Sequence, residues 1–369
     1  MRAKTVEMLA VGDIAYSGEA KDFFDATAPV LKSADIVIGQ LEVPYTTRHP
    51  QAANLGRDPA LLEILASVGF DVLTLAGNHI ADAGREGIED TIRALKQHNM
   101  VPVGAGLNIR EARKAAILER EGIRFGFLDY NCVGPKETWA AQDKPGCAYI
   151  GVHIEYETIF ASPGAVPIVK TWAEANTLQA MQEDIHMLRP QCDVLVVNFH
   201  KGVGHTPVVI ADYEYEICHA AIDAGADVIF SHHAHILKGV EVYKGKTIFH
   251  GLGNFVTYVP PHAFNSGHLP KDWGEKRKKL FGFEPDPEYP TYPFHPDAKY
   301  TMIAKCWVEE EQIVRTGYIP CEVTKAGYPV IRDRAQGEKI FDYVATITAK
   351  AGLKTQFEWQ GDQVLIKID

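Results

Sequence analysis

The 369-residue chain reads as an α/β protein, and three observations say so. Short apolar runs alternate with amphipathic stretches through the first hundred residues, the pattern of a mainly parallel sheet covered by helices. Several of the apolar runs end in metal-competent donors: Gly12-Asp13, Leu41-Glu42, Gly77-Asn78-His79 and His200-Lys201-Gly202. A further run, Val228-Ile229-Phe230, ends in Ser231-His232-His233-Ala234-His235, which delivers three imidazoles into one turn. Open α/β sheets bind ligands beyond the carboxyl ends of their strands, which is where all of these donors fall. Neutral imidazole is the commonest nitrogen donor to a divalent metal, so a metal is the first hypothesis, set against a surface histidine cluster at a turn.

Composition narrows the class. A chain that is 46% hydrophobic and 23% charged can bury a large core, as one big α/β domain or two modest ones. The net charge of −11, with no basic run longer than Lys276-Arg277-Lys278-Lys279, argues against a nucleic-acid groove. No apolar span of membrane length occurs and the amino terminus has no apolar signal core, so the expectation is a soluble cytoplasmic protein that engages neither nucleic acid nor membrane. Six scattered cysteines without a C-x-x-C pair fit reduced interior thiols, which leaves His, Asn and carboxylate to hold any metal.

Taken in order, residues 6–11 form a strand and 19–32 the helix after it. Residues 36–38 are a second strand, 59–68 a helix and 71–76 a third strand. The helix over 84–97 places Ile88, Ile92 and Leu95 on one face. A short strand at 101–103 precedes a hairpin of 114–119 with 123–129, which suggests an antiparallel edge. Residues 130–169 show no sustained period and read as loops with short strands over the core. A helix over 173–188, a buried strand over 193–199, a helix over 213–224 and a hairpin of 240–243 with 247–250 complete this half.

The order and spacing of these motifs resemble the calcineurin-like metallophosphoesterase superfamily and, more narrowly, its CapA branch, the poly-γ-glutamate synthesis or capsule-biosynthesis family. The motifs carrying the resemblance are Gly12-Asp13, Gln40-Leu41-Glu42, the stretch from Gly77-Asn78-His79 to Asp82-Ala83-Gly84, His200-Lys201-Gly202, Ser231 to His235, and Leu252-Gly253-Asn254-Phe255. They cover roughly residues 6–256. The resemblance implies a two-sheet α/β sandwich with a C-terminal extension. It implies a divalent metal, zinc or manganese, held by Asp13, Glu42, Asn78, His200, His233 and His235. Glu42 would bridge two positions, Asn78, His200 and His233 would complete the second, and Asp13 and His235 would hold the first. His79 would protonate a leaving group, with Asp13 also at the chemistry.

One departure matters. The superfamily's first motif is usually D-x-H, and the histidine place here is Ala15. The first metal position is then short of a nitrogen ligand, so one tight site and a weaker second one are expected.

The bland readings stand beside these. Asp13 could cap a turn, and His79 could only orient its neighbours. His232 faces away if side chains alternate along extended backbone. His205 and His250 read as packed or solvated, and Asp82 as a cap of the helix near Gly84. Asn254 either supports the ligands or satisfies a turn, and Lys201 faces a carboxylate or the solvent.

The chain divides into a metallophosphoesterase-like catalytic part over 1–256, a Pro- and aromatic-rich lid over 257–300, and strands and a helix over 301–369 that complete the sheets or form a subdomain. The lid brings His295, a candidate second acid or base. The leading function is a metal-dependent hydrolase in which activated water attacks an acyl, amide or phosphoester bond of a small, carboxylate-bearing molecule or short peptide. A metal-dependent epimerase or isomerase is the runner-up, and a non-enzymatic factor of polymer or capsule assembly the third reading. The C-terminal tail offers a homodimer contact.

Overall fold

A strand buried on both faces needs two apolar layers, and residues 6–11 supply them by alternation. The computed structural model describes residues 5–158, 160, 164–260 and 273–368. Its strands begin with β1 (Val6–Ala15), β2 (Ile36–Leu41), β3 (Val72–Thr74), β4 (Val101–Val103), β5 (Ala105–Gly106), β6 (Ala116–Arg120) and β7 (Ile123–Asn131). They continue with β8 (Gly146–Cys147), β9 (Val152–Glu157), β10 (Ile168–Ala173), β11 (Val194–Lys201), β12 (Val228–His233), β13 (Val240–Tyr243) and β14 (Lys246–Phe249). The last are β15 (Asn254–Thr257), β16 (Tyr300–Glu309), β17 (Gln312–Val323), β18 (Pro329–Ile331), β19 (Phe357–Gln360) and β20 (Gln363–Ile366).

One sheet runs β19-β20-β17-β16-β1-β2-β3-β4, with β15 also beside β1 and β18 beside β17. The other runs β13-β14-β12-β11-β7-β6. Val6, Met8, Ala10, Ile36 and Ile38 of the first sheet pack against Phe125, Phe127, Val194, Val196 and Phe230 of the second. The alternate residues face outward: Leu9 and Val11 meet Leu65, Ile88 and Leu95, and Leu195, Val197 and Phe199 meet Met181, Ile185 and Ile217. The result is the expected α/β sandwich, two sheets face to face with a helical layer outside each. Residues 300–323 belong to the first sheet, since β16 lies antiparallel to β1 and β17 to β16.

The expected helix over 19–32 is not continuous. A 3-10 turn at Gly18–Ala20 is followed by turns, and only Ala28–Leu31 is helical. Pro29 has no N–H to donate one turn back, and its ring crowds the preceding turn, so a single helix cannot run through it. The irregular stretch 130–169 contains the short pairs β5 with β8 and β9 with β10.

Parallel pairing decides where the site sits. β1, β2, β3 and β4 are mutually parallel, as are β7, β11, β12 and β14, so each sheet gathers its carboxyl ends on one edge. Register shifts beside Asp13 interrupt the pairing of β1 with both β2 and β15, and such a bulge re-aims a side chain out of strict alternation. Gly12 makes the close approach to β15 possible: a Cβ there would lie 2.0 Å from Gly253 O, while Asp13 N donates to that same carbonyl at 3.0 Å.

Gly12→Ala should therefore destabilise the fold by about 1–3 kcal/mol, the usual range for overpacking a filled core. Gly18→Ala, whose added methyl has nothing nearer than 3.9 Å, serves as the control and should stay within about 0.5 kcal/mol in the same urea denaturation series.

Candidate metal centre

The strand ends bring Asp13, Glu42 and His200 together, with one potential donor atom from each lying within 4.8 Å of the others. All three are buried. Asp13 Oδ2 accepts from the backbone N–H of His233 at 3.3 Å and lies 3.4 Å from His235 Nδ1. Glu42 Oε2 is 3.7 Å from His200 Nδ1, and Glu42 Oε1 is 3.9 Å from His235 Nε2. The His200 and His233 rings are 4.9 Å apart between centroids and those of His233 and His235 6.0 Å. Five of the six sequence-assigned ligands thus face one another across the rim of the sandwich.

Two asparagines set the imidazole tautomers. Asn78 Oδ1 is 2.7 Å from His200 Nε2, and Asn254 Oδ1 is 2.8 Å from His235 Nδ1. An amide oxygen only accepts, so each of those ring nitrogens carries the hydrogen and the other nitrogen, the one facing Glu42, keeps its lone pair. Asn254 therefore supports the ligands rather than serving a turn alone, and it is itself held by its Nδ2 donating to Tyr292 Oη at 2.8 Å. Asn78, the sixth assigned ligand, is turned toward His200 in this arrangement.

Backbone conformation marks the same place. His233 and His235 have φ of +83° and +53°, a left-handed region that costs a non-glycine residue energy and persists where surrounding contacts impose it. The first of these ends the alternation of β12. His232 consequently does not face away: it is buried, with Nδ1 3.7 Å from Asp13 Oδ1. The expectation failed because the strand's alternation, extrapolated through His233, assigned the wrong partner to the outer face.

Other residues take definite places. His79 Nδ1 bonds Asp82 Oδ2 at 2.8 Å, and its ring stays 43% exposed. Asp82 does not cap the following helix, whose N-cap is Ala83 with no side-chain cap bond. His295 Nδ1 accepts from Asp297 N at 3.1 Å and its ring meets Phe283 at 5.1 Å, so its described contacts are within the 257–300 segment. His205 lies against His235 and three rings of that segment, Phe281, Phe283 and Phe294. His250 is buried between Glu241 and Lys201, and Lys201 faces Glu214 at 2.7 Å rather than solvent. Asp129, unremarked in the sequence, accepts from the N–H groups of Leu75 and Ala76 at 2.9 and 2.7 Å and so fixes the loop leading to Asn78. A buried carboxylate crossing from one sheet to the other has no local sequence signal.

The electrostatics are unbalanced. Burial raises the Asp13 carboxyl from 3.8 to about 8, and burial, followed by the neighbouring Asp13 and Asp82 charges, holds Glu42 well above its ordinary range. Burial depresses His232 and His233 to about 3 and, with the surrounding imidazoles, holds His200 well below its ordinary value. Asp13 Oδ1, both Glu42 oxygens, His200 Nδ1, His233 Nδ1 and both His232 nitrogens are buried without a hydrogen-bond partner. Buried acceptors left unpaired cost about 1–3 kcal/mol each. The oxygen-to-nitrogen gaps of 3.4 to 3.9 Å are too long for hydrogen bonds. Donors ~2.1 Å from one ion stand roughly 3.0–4.2 Å apart according to the angle between them, so the spacing and the mixed nitrogen and oxygen chemistry fit a divalent cation.

A carboxyl whose folded pKa is raised stabilises the fold below its unfolded pKa and loses that contribution as pH rises through the folded value. The depressed histidines act oppositely, but only below about 6.5. Between pH 6.5 and 8, therefore, chelator-treated protein should show a falling Tm by scanning fluorimetry, and a saturating divalent ion should remove the fall. Asp13→Asn should flatten the slope in the metal-free protein.

Among the described residues no helix is long and apolar enough to cross a membrane, and all six cysteines are free and buried. The chain is 28% identical over 265 residues to the capsule biosynthesis protein CapA of Bacillus anthracis, covering 68% of this chain and 59% of that protein. To the PGA biosynthesis protein CapA of Bacillus subtilis (strain 168) it is 29% identical over 244 residues, covering 64% and 57%. It spans a little under three-fifths of the length of these curated relatives. Among solved structures, a novel phosphatase of Mycoplasma pneumoniae aligns at 14% identity and TM-score 0.48 over 93% of this chain and 100% of its own. The calcineurin-like phosphoesterase YfkN of Bacillus subtilis aligns at 13% identity and TM-score 0.43, over 95% and 99%. The family model described as bacterial capsule synthesis protein PGA_cap matches residues 7–259, a span that contains every ligand candidate, and the chain belongs to that family.

Proposed function

We propose that this protein is a metal-dependent hydrolase of a small, carboxylate-bearing substrate, cleaving an acyl, amide or phosphoester bond. The observation that carries the reading is a set of buried atoms without a hydrogen-bond partner, Asp13 Oδ1, both Glu42 oxygens, His200 Nδ1 and His233 Nδ1, gathered at one rim with Glu42 Oε2 and His200 Nδ1 3.7 Å apart. Asp13, Glu42, His200, His233 and His235 would hold the ion, with Asn78 beside them. When bound, a divalent ion supplies Lewis acidity that lowers the pKa of water and polarises the bond under attack.

The protein's own residues do the rest. Asp82 holds His79 through Nδ1, which leaves Nε2 as the atom presented to a leaving group, and the ring's exposure keeps it open to proton exchange with solvent. Arg57 is half-buried and lies within electrostatic reach of Glu42, Asp82 and Tyr45, yet its guanidinium forms no ion pair or side-chain hydrogen bond among the described residues. It would receive a substrate carboxylate or phosphate, and that favours an anionic substrate. The relatives' names attach them to capsule and PGA biosynthesis, which points the same way. Phe294, 5.1 Å from the His235 ring, and Phe281 and Phe283 beyond it would form the apolar side of the substrate space.

The test separates ligand from proton donor. His233→Ala should lose metal and recover partly with excess ion. His79→Ala should keep near-normal metal yet turn over roughly 10²- to 10⁴-fold more slowly on a substrate with a poor leaving group, and recover on an activated one. Screening phosphoesters, amides and lactones with metal content measured alongside decides the bond class. Full metal in His233→Ala, or equal loss with both leaving groups in His79→Ala, contradicts these roles.

A further inference from the structure

The substitution at Ala15 leaves a specific deficit: the first ion position lacks the nitrogen that a D-x-H motif would supply. The structure brings a different imidazole to the same carboxylate. In the parallel ladder of β11 and β12, His200 pairs with His232 and Lys201 with His233. Paired residues of a parallel ladder share a face, so His232 projects beside His200. Lys201 points the opposite way, to Glu214 in the helix Asp212–Ala224 outside the sheet. His232 therefore crosses the inter-sheet space at the rim and ends with Nδ1 3.7 Å from Asp13 Oδ1, while His235 Nδ1 stands 3.4 Å from Asp13 Oδ2. One imidazole flanks each oxygen of the same carboxylate.

We propose that His232 is a metal ligand, supplying to the ion held by Asp13 the nitrogen that Ala15 cannot. Two observations favour ligation over packing. Its side chain is 1% exposed, yet neither ring nitrogen nor the facing Asp13 oxygen has a hydrogen-bond partner. An imidazole placed to steady Asp13 would close to about 2.7–3.2 Å, whereas 3.7 Å is the separation of two donors that share a third atom. A buried histidine that merely fills space has no reason to point a nitrogen at an unpaired carboxylate oxygen.

The inference rests on the metal-dependent reading above and is tested apart from it, by ion binding alone. The chelator-stripped 369-residue chain is dialysed against graded Zn²⁺ and bound zinc is counted by mass spectrometry. The native chain should bind two ions. His232→Ala should retain one at normal affinity and bind the other at least ~10-fold more weakly, while His200→Ala weakens the opposite one. His232→Gln preserves side-chain bulk and hydrogen-bonding capacity but not the imidazole nitrogen, and guards against a folding defect in the alanine variant. It should show the same loss. Two ions with unchanged affinity in either variant, or normal affinity restored by glutamine, overturns the ligand role. A native chain that binds only one ion also overturns it but leaves the hydrolase reading standing. A native chain that binds none removes both.

Discussion

Two carboxylates taken out of water among imidazoles that burial keeps neutral are the constraint on which this structure turns. Asp13 and Glu42 stand at adjacent strand ends, and their neighbours in the site are imidazoles held neutral by the same burial. Moving an ionised carboxylate into a low-dielectric interior is costly unless it is paired, and a neutral ring cannot pair it. Nothing in packing asks for this arrangement, because hydrophobic residues of similar size would fill the rim at lower cost. The two sheets meet at a place where the protein's own charges do not close, which is what a binding site for a cation requires.

The opposite face of the same strands shows how the protein behaves when it does balance buried charge. Lys201 follows His200 and points away from it, to Glu214 at 2.7 Å, and His250 links Lys201 to Glu241. There Lys201 and Glu214 form an oppositely charged pair at hydrogen-bond distance. β11 thus carries a closed ion pair on one side and an open donor set on the other, one residue apart. The pair holds β11 to the helix behind it, so the ligand strand cannot drift without breaking a buried salt bridge. Asp129 does the same for the loop after β3, through its bonds to Leu75 and Ala76.

Much of this was legible in the sequence because strand ends are local: an apolar run followed by a donor places that donor at the rim whatever the rest of the fold does. That logic located Asp13, Glu42, Asn78, His200 and the histidine turn, and alternating β and α stretches gave the sandwich's layers. It failed where the answer lies in backbone geometry or in a distant partner. Strict alternation back from His233 points His232 outward, and the positive φ of His233 breaks that alternation. Asp82 resembled a helix cap from its spacing to Gly84, but His79 competes for the same carboxylate and wins. The helix over 19–32 had the right composition and one residue, Pro29, that forbids it. Asp129 and Arg57 have no motif, since their roles exist only once residues many positions away fold against them.

The segment after β12 connects the site to what covers it. Lys238, buried, donates from Nζ to the carbonyls of Val203, Thr206 and Val209 at 3.0, 2.6 and 2.6 Å, so three carbonyls of the 203–209 loop are gathered on one ammonium. That loop presents His205, whose backbone N–H donates to Ala234 O at 2.8 Å and whose ring stacks 5.7 Å from His235. Phe281, Phe283 and Phe294 then close on the two rings. The same turn that carries the ligands is thereby tied, through one buried lysine and one histidine, to an aromatic wall from the 257–300 segment. An apolar wall beside unbalanced carboxylates keeps the local dielectric low, and a low dielectric is what makes each charge in the site act strongly on whatever is bound beside it.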